Sequence, residues 1–179
     1  MSNVRPRVKN LLGRIRSLLS GRAAADQGPV DDPLDYEQLV HLDAEGLAEQ
    51  GILIAYEDLM PKLLTYAKAL SEVTEDIDSD AATYAVCSAQ KRFEIWGDGA
   101  SNEDGWERAT VAFFEIVNAN LVGASHKFYA LYGGNDLSGM FLTPEEFTAA
   151  RRLIKRRSDW PWIPVNEPPH YGYPNFDGS

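Results

Sequence analysis

Residues 127–147 read KFYALYGGNDLSGMFLTPEEF, and this stretch decides the fold. KFYALYG (127–133) is rich in aromatic and aliphatic residues and reads as a strand. Gly133-Gly134-Asn135-Asp136 is a turn, because glycine and short Asx side chains adopt backbone angles that other residues resist. SGMFLT (138–143) is the returning strand. Thr143-Pro144-Glu145-Glu146 then starts a helix. Thr143 is the cap, Pro144 sits where a missing N–H costs nothing, and Glu146 can return a hydrogen bond to the cap. This helix is expected to run to about residue 157, with Phe147, Ala150, Leu153 and Ile154 inward. Arg151, Arg152, Lys155, Arg156 and Arg157 fall near its negative end, where cations suit the dipole.

Upstream, TYAVCSA (83–89) and RFEIWG (92–97), separated by Gln90-Lys91, read as a second hairpin. Alternation puts Phe93, Ile95 and Gly97 on one face and Glu94 and Trp96 on the other. Asp98-Gly99 makes the next turn. Residues 103–121 read as a helix whose buried face is Trp106, Ala109, Phe113, Ile116, Val117 and Leu121. Ser101 or Asn102 caps it, and Glu103 and Asp104 suit its positive end. Asp35 and Gln38 make a capping-box pattern for a helix over about 35–50, with Gly51 past its end. Residues 55–71 read as another helix carrying Leu59, Leu63, Tyr66 and Leu70, with Pro61 in its first turn or marking a later start.

The expected class is α+β: about four antiparallel strands in two hairpins, packed with four helices mainly on one face. Residues 35–179 are expected to form a single domain. Its last part, 158–179, has prolines at 161, 164, 168, 169 and 174 that forbid regular structure. It also carries Trp160, Trp162, Ile163, Tyr171, Tyr173 and Phe176, so it is expected to wrap on the body as an irregular arm. Residues 26–34 read as a linker. Residues 1–25 read as a basic amphipathic helical extension: Val4, Val8, Leu11, Leu12, Ile15, Leu18 and Leu19 make one apolar stripe. Around it stand Arg5, Arg7, Lys9, Arg14 and Arg16. Such a helix packs on the body or on a partner, lies on a membrane surface, or acts as an Arg-rich targeting segment. No apolar run is long enough to serve as a secretory signal or to cross a bilayer, so a cytoplasmic protein is expected.

The formal net charge is −10, which disfavours nucleic acid as the main partner, since that affinity comes from neutralising phosphates. The charge is uneven. Residues 1–25 hold six basic side chains and no acid, whereas residues 26–150 hold 24 acids against 6 bases. The body is therefore suited to cationic partners.

Motifs for catalysis and metal binding are missing. One cysteine excludes a disulfide framework and Cys-rich metal sites, and Cys87, inside a strand, reads as a buried inert thiol. His41, His126 and His170 have no spacing that couples them into a metal site. Glu72, Glu75, Asp76, Asp78 and Asp80 lack the glycine and terminal glutamate of a calcium loop and read as a solvated acidic loop. There is no G-x-S-x-G elbow and no phosphate loop. No cofactor is expected. The enzymatic alternative is a small hydrolase or transferase using strand-end carboxylates Asp98 and Asp136, or His126; the membrane alternative is a surface adaptor working through residues 1–22.

What remains is binding. RFEIWGDG (92–99), DGWERATVAFFEIVNANL (104–121), KFYALYGGNDLSGMFLTPEEF (127–147), DWPWIP (159–164) and PPHYGYP (168–174) together resemble small bacterial immunity-type proteins encoded beside secreted toxins. The resemblance covers about half the chain. It implies neutralisation of a cognate toxin by direct binding, usually by blocking its active site, and the acidic body makes a basic toxin, and an inhibitor rather than an enzyme, the expectation. The candidate contacts are Glu72, Glu75, Asp76, Asp78 and Asp80, then Asp98, Glu103 and Asp104, then Asn135 and Asp136. Charge complementarity would speed association and fix register.

Overall fold

The computed structural model describes residues 32–97, 104–167 and 171–174. The basic extension with Arg5, Arg7, Lys9, Arg14 and Arg16, and Asp98, Ser101, Asn102 and Glu103, lie outside them. In chain order the elements are a 3-10 turn (Tyr36–Gln38), β1 (Val40–His41), α1 (Ala44–Gly46), α2 (Ile52–Leu63), β2 (Val73–Asp78), β3 (Thr83–Ser88), β4 (Lys91–Trp96), α3 (Gly105–Ala119), β5 (Lys127–Leu131), β6 (Ser138–Leu142) and α4 (Pro144–Leu153). The class is α+β. The strands form two separate antiparallel sheets, ordered β1-β6-β5 and β2-β3-β4.

Residues 127–147 fold as their local signals require. β5 and β6 pair from Lys127↔Leu142 to Leu131↔Ser138. The capping box is complete: Glu146 N–H donates to Thr143 Oγ1 at 3.2 Å, and Thr143 N–H donates to Glu146 Oε2 at 2.8 Å. β5 and β6 are buried on both faces apart from Lys127. Phe128, Ala130 and Phe141 face one apolar cluster, while Tyr129, Leu131, Met140 and Leu142 face a second with Ala150, Phe147 and Leu34. α4 ends sooner than expected, because Ile154 turns extended. Leu153 is accordingly half exposed rather than inward.

α3 is the hub, touching β4 of one sheet and β5 of the other. Its Ala109, Ala112, Phe113, Phe114, Ile116 and Val117 are all buried. A helix apolar on nearly every side must be covered on every side. Trp106, expected inward, is 40% exposed instead. The free edge of β5 is closed at two successive points. Asn118 donates to Phe128 C=O (2.9 Å) and accepts from Phe128 N–H (2.8 Å). Ala130 then exchanges both backbone hydrogen bonds with Trp162, at 2.8 and 2.9 Å. The arm therefore docks by strand pairing, and the Trp162 indole N–H donates to Tyr132 C=O.

Four sequence expectations are corrected. There is no continuous helix over 35–50. Asp35 caps only a 3-10 turn, after which Val40 and His41 pair with Gly139 and Ser138 of β6, and Asp43 caps a new start at α1. The second helix begins at Ile52, so Pro61 lies in its last turn, where the helix is about to stop. The acidic run is not a loop: Val73–Asp78 pairs residue for residue with β3 as a strand. Finally, a bulge opposite Tyr84/Ala85 adds one residue to β4. It turns Trp96 back toward the core, where its indole donates to Ala48 C=O. The intervening turn is Ala89-Gln90, both at positive φ, as a two-residue hairpin with right-handed strands demands.

Candidate functional site

The expected contact residues divide sharply once placed. Along β2, Val73 and Glu75 point inward while Thr74, Asp76 and Asp78 point outward; Ile77, on the inward side, is 42% exposed at the strand's end. Glu75 is structural: its Oε1 accepts from the Tyr84 hydroxyl at 2.6 Å and from Leu53 N–H at 3.2 Å, in the first turn of α2. A carboxylate suits that positive helix end. Burial, and then Glu75 itself, push the Tyr84 phenol well above its ordinary range. Glu75 is thus committed to the fold and unavailable to a partner.

The outward residues build a face. Asp76 and Glu94 flank Ala85 in one cross-strand row, and Arg92 stands in the next row with Cys87 and Thr74. Arg92 donates to Asp76 at 2.5 Å, an exposed pair worth little to stability. Asp78 shapes the turn after β2 by accepting from Asp80 N–H (2.9 Å) and Ala81 N–H (3.0 Å). Glu72, Asp80 and Glu94 have no hydrogen-bonded side-chain partner among the described residues, and Asp80 and Glu94 are exposed. Cys87 is half buried on this face, 4.0 Å from Arg92, not inside the core.

The other candidates lie elsewhere. Asp104 precedes α3 and pairs with Arg108 at 3.4 Å. Asn135 and Asp136 occupy the turn between β5 and β6. The Asn135 amide donates to Glu45 at 3.1 Å, and Asp136 lines a shallow cleft of about 420 Å³ with His41 and Tyr132. His126 shares a hydrogen bond with Ser125, and its ring lies tilted beside that of Tyr66, 4.6 Å between centroids. Asp98 lies outside the described residues, so no described geometry joins it to Asp136. Among the described residues no group of three His, Cys, Asp or Glu converges as a metal site, and no helix is long and apolar enough to cross a membrane.

No family model, curated protein or solved structure matches the chain. The site therefore rests on its own geometry. Two further residues belong to these surfaces. Alternation along β4 puts Glu94 on the outer face beside the expected contacts. Glu107 is a buried acid that shares a helical stripe with Val111 and Phe114, at spacings of four and seven, which is its signal in the sequence.

Proposed function

We propose that this chain is an acidic protein-binding module that neutralises a cognate basic protein, in the manner of the immunity-type inhibitors its sequence resembles. The observation that carries the reading is the outer face of the β2-β3-β4 sheet. Asp76, Asp78 and Glu94 stand there at fixed strand spacings, with Asp80 and Glu72 at the ends of β2. The ladder fixes the backbone that carries Asp76, Asp78 and Glu94 before any partner arrives, so no backbone ordering there is needed on docking. A concentrated negative field also steers a cationic surface and accelerates encounter. The module binds rather than turns over, it needs no cofactor, and its partner is a protein, not a nucleic acid. It works in the cytoplasm.

The test is affinity capture from source-cell lysate with the full chain, in parallel with a Glu72→Lys/Asp80→Lys/Glu94→Lys variant. None of these three side chains anchors the fold. The wild type is expected to retain one basic protein in stoichiometric amount at low salt, less at high salt, and the variant much less at both. Equal retention by the two chains would remove this face from the interface, and recovery of no basic protein would overturn the reading.

A further inference from the structure

Glu107, in the first turn of α3, is 8% exposed, and its Oε2 has no hydrogen-bond partner among the described residues. An unsatisfied buried carboxylate oxygen is costly, and in a native fold it calls for an explanation. It lies beside a cavity of about 160 Å³. That volume is well below the ~300 Å³ at which drug-sized pockets begin, so it suits a head group rather than a whole ligand. Thr110 and Trp162, both nearly fully buried, line its inner part; Trp106 and Tyr173, 40% and 58% exposed, stand at its mouth.

The wall on the arm side is held tightly. Gly172 has φ +63, and a Cβ there would lie 2.6 Å from the Glu107 backbone. Only glycine lets the arm approach α3 so closely. Charge at the mouth is negative: Glu107 first, then burial, and least Asp104 hold the Tyr173 phenol above its usual range. The nearby Arg108 guanidinium is engaged with Ile95 C=O and Asp104.

A carboxylate oxygen without a partner among the described residues, beside a cavity lined by two indoles and a phenol, is the chemistry that recognises an ammonium ion. The acid supplies the counter-charge and the ring faces supply cation–π attraction. We propose that this pocket binds an alkylammonium head group, with Glu107 as its counter-ion and Trp106, Trp162 and Tyr173 as its cage. An anion would meet Glu107 and Asp104, and a neutral apolar group would leave Oε2 unsatisfied. A free amine and a lysine side chain of a docking protein share this chemistry. The inference does not depend on the acidic sheet face.

The test uses the full chain labelled at its Trp indole nitrogens, titrated with n-butylammonium chloride. Sodium butanoate, n-butanol and sodium chloride serve as controls. The indole signals of Trp106 and Trp162 are expected to shift saturably, while those of Trp96 and Trp160, whose N–H groups bond to Ala48 and Ile154 carbonyls, stay in place. Glu107→Gln should weaken binding by about tenfold or more with an unchanged spectrum elsewhere. Because that variant could unfold, Trp106→Ala at the exposed rim provides a second check and should also weaken binding. N-acetyl-lysine methylamide separates the sources: binding equal to n-butylammonium points to a protein lysine, and binding lost points to a free amine. Butanol shifting the same indoles as strongly, unsaturable shifts, or full retention of binding in both variants would overturn the proposal.

Discussion

Asn118 does for β5 what a neighbouring strand would otherwise do. Its amide both donates to and accepts from the Phe128 backbone, so a helix side chain closes a strand edge. Asn118→Ala leaves two backbone groups in the part-buried edge without partners, and should cost about 2–3 kcal/mol, read as a lower urea midpoint with an unchanged slope. Glu75 and Tyr84 set a pH dependence. Tyr84 is held above the ordinary phenol range by burial and by Glu75, and Tyr129, Tyr132 and Tyr171 are raised chiefly by burial. Unfolded tyrosines titrate near pH 10. Above that pH the unfolded chain sheds protons that the folded chain keeps, so stability falls as pH rises. Lys62 is shifted down by burial and acts in the opposite sense, but it is one group against several. Urea midpoints should hold from about pH 7 to 9 and fall from about pH 10 upward, with a shallower fall in Tyr84→Phe. A midpoint unchanged at the alkaline end would contradict the packing described for Tyr84. None of these pairings is legible in sequence. Glu75 sits among identical-looking acids, and only the strand register tells the inward carboxylate from its outward neighbours.

At the level of elements, the readable parts are those with local determinants. β5, the Gly-Asn turn, β6 and the Thr143 capping box are adjacent in the chain, and each reinforces the next. The β3-β4 hairpin is readable for the same reason. The run 35–50 misleads because its decisive partner is far away: Val40 and His41 abandon a helical pattern to pair with β6, about a hundred residues on. β2 misleads because acids are poor strand formers; here they are outward-facing, and Val73 anchors the inner side. The same pairing that creates β1 constrains β6. A Cβ on Gly139 would lie 2.0 Å from the Phe128 ring, which itself is fully buried against Phe114 and Phe141. Gly139→Ala should destabilise by about 1–3 kcal/mol through overpacking. Adding Phe128→Leu, which frees that space, should make the double variant more stable than the sum of the single losses predicts. Strict additivity in thermal melts would mean that the ring does not set the requirement for glycine.

For the whole molecule, the acidity of the body is legible in composition. The alkylammonium pocket is not, because α3, the loop at Gly133-Gly134 and the arm meet there from three distant segments. The same convergence governs cooperativity. The two sheets share no strand, so α3 must couple them, and it does so through side chains buried in one cluster with residues of both: Tyr84, Val86 and Ile95 of one sheet, Phe128, Ala130 and Phe141 of the other. If that cluster is one core, the sheets cannot unfold independently. Two indoles report on them separately, Trp96 at the end of β4 and Trp162 at the edge of β5. Urea unfolding followed at each indole N–H, and by far-UV dichroism, should give coincident transitions. Phe113→Ala, a truncation in the middle of α3, should lower both transitions together by about 3–5 kcal/mol. Transitions that separate, with Trp162 lost before Trp96, would show that the arm and its sheet form a weaker unit. The pocket between arm and α3 would then open before the fold does, and an alkylammonium ligand would raise the Trp162 transition alone. With a single core, the ligand raises both by the same amount, because it binds only the state in which Glu107, α3 and the arm are assembled.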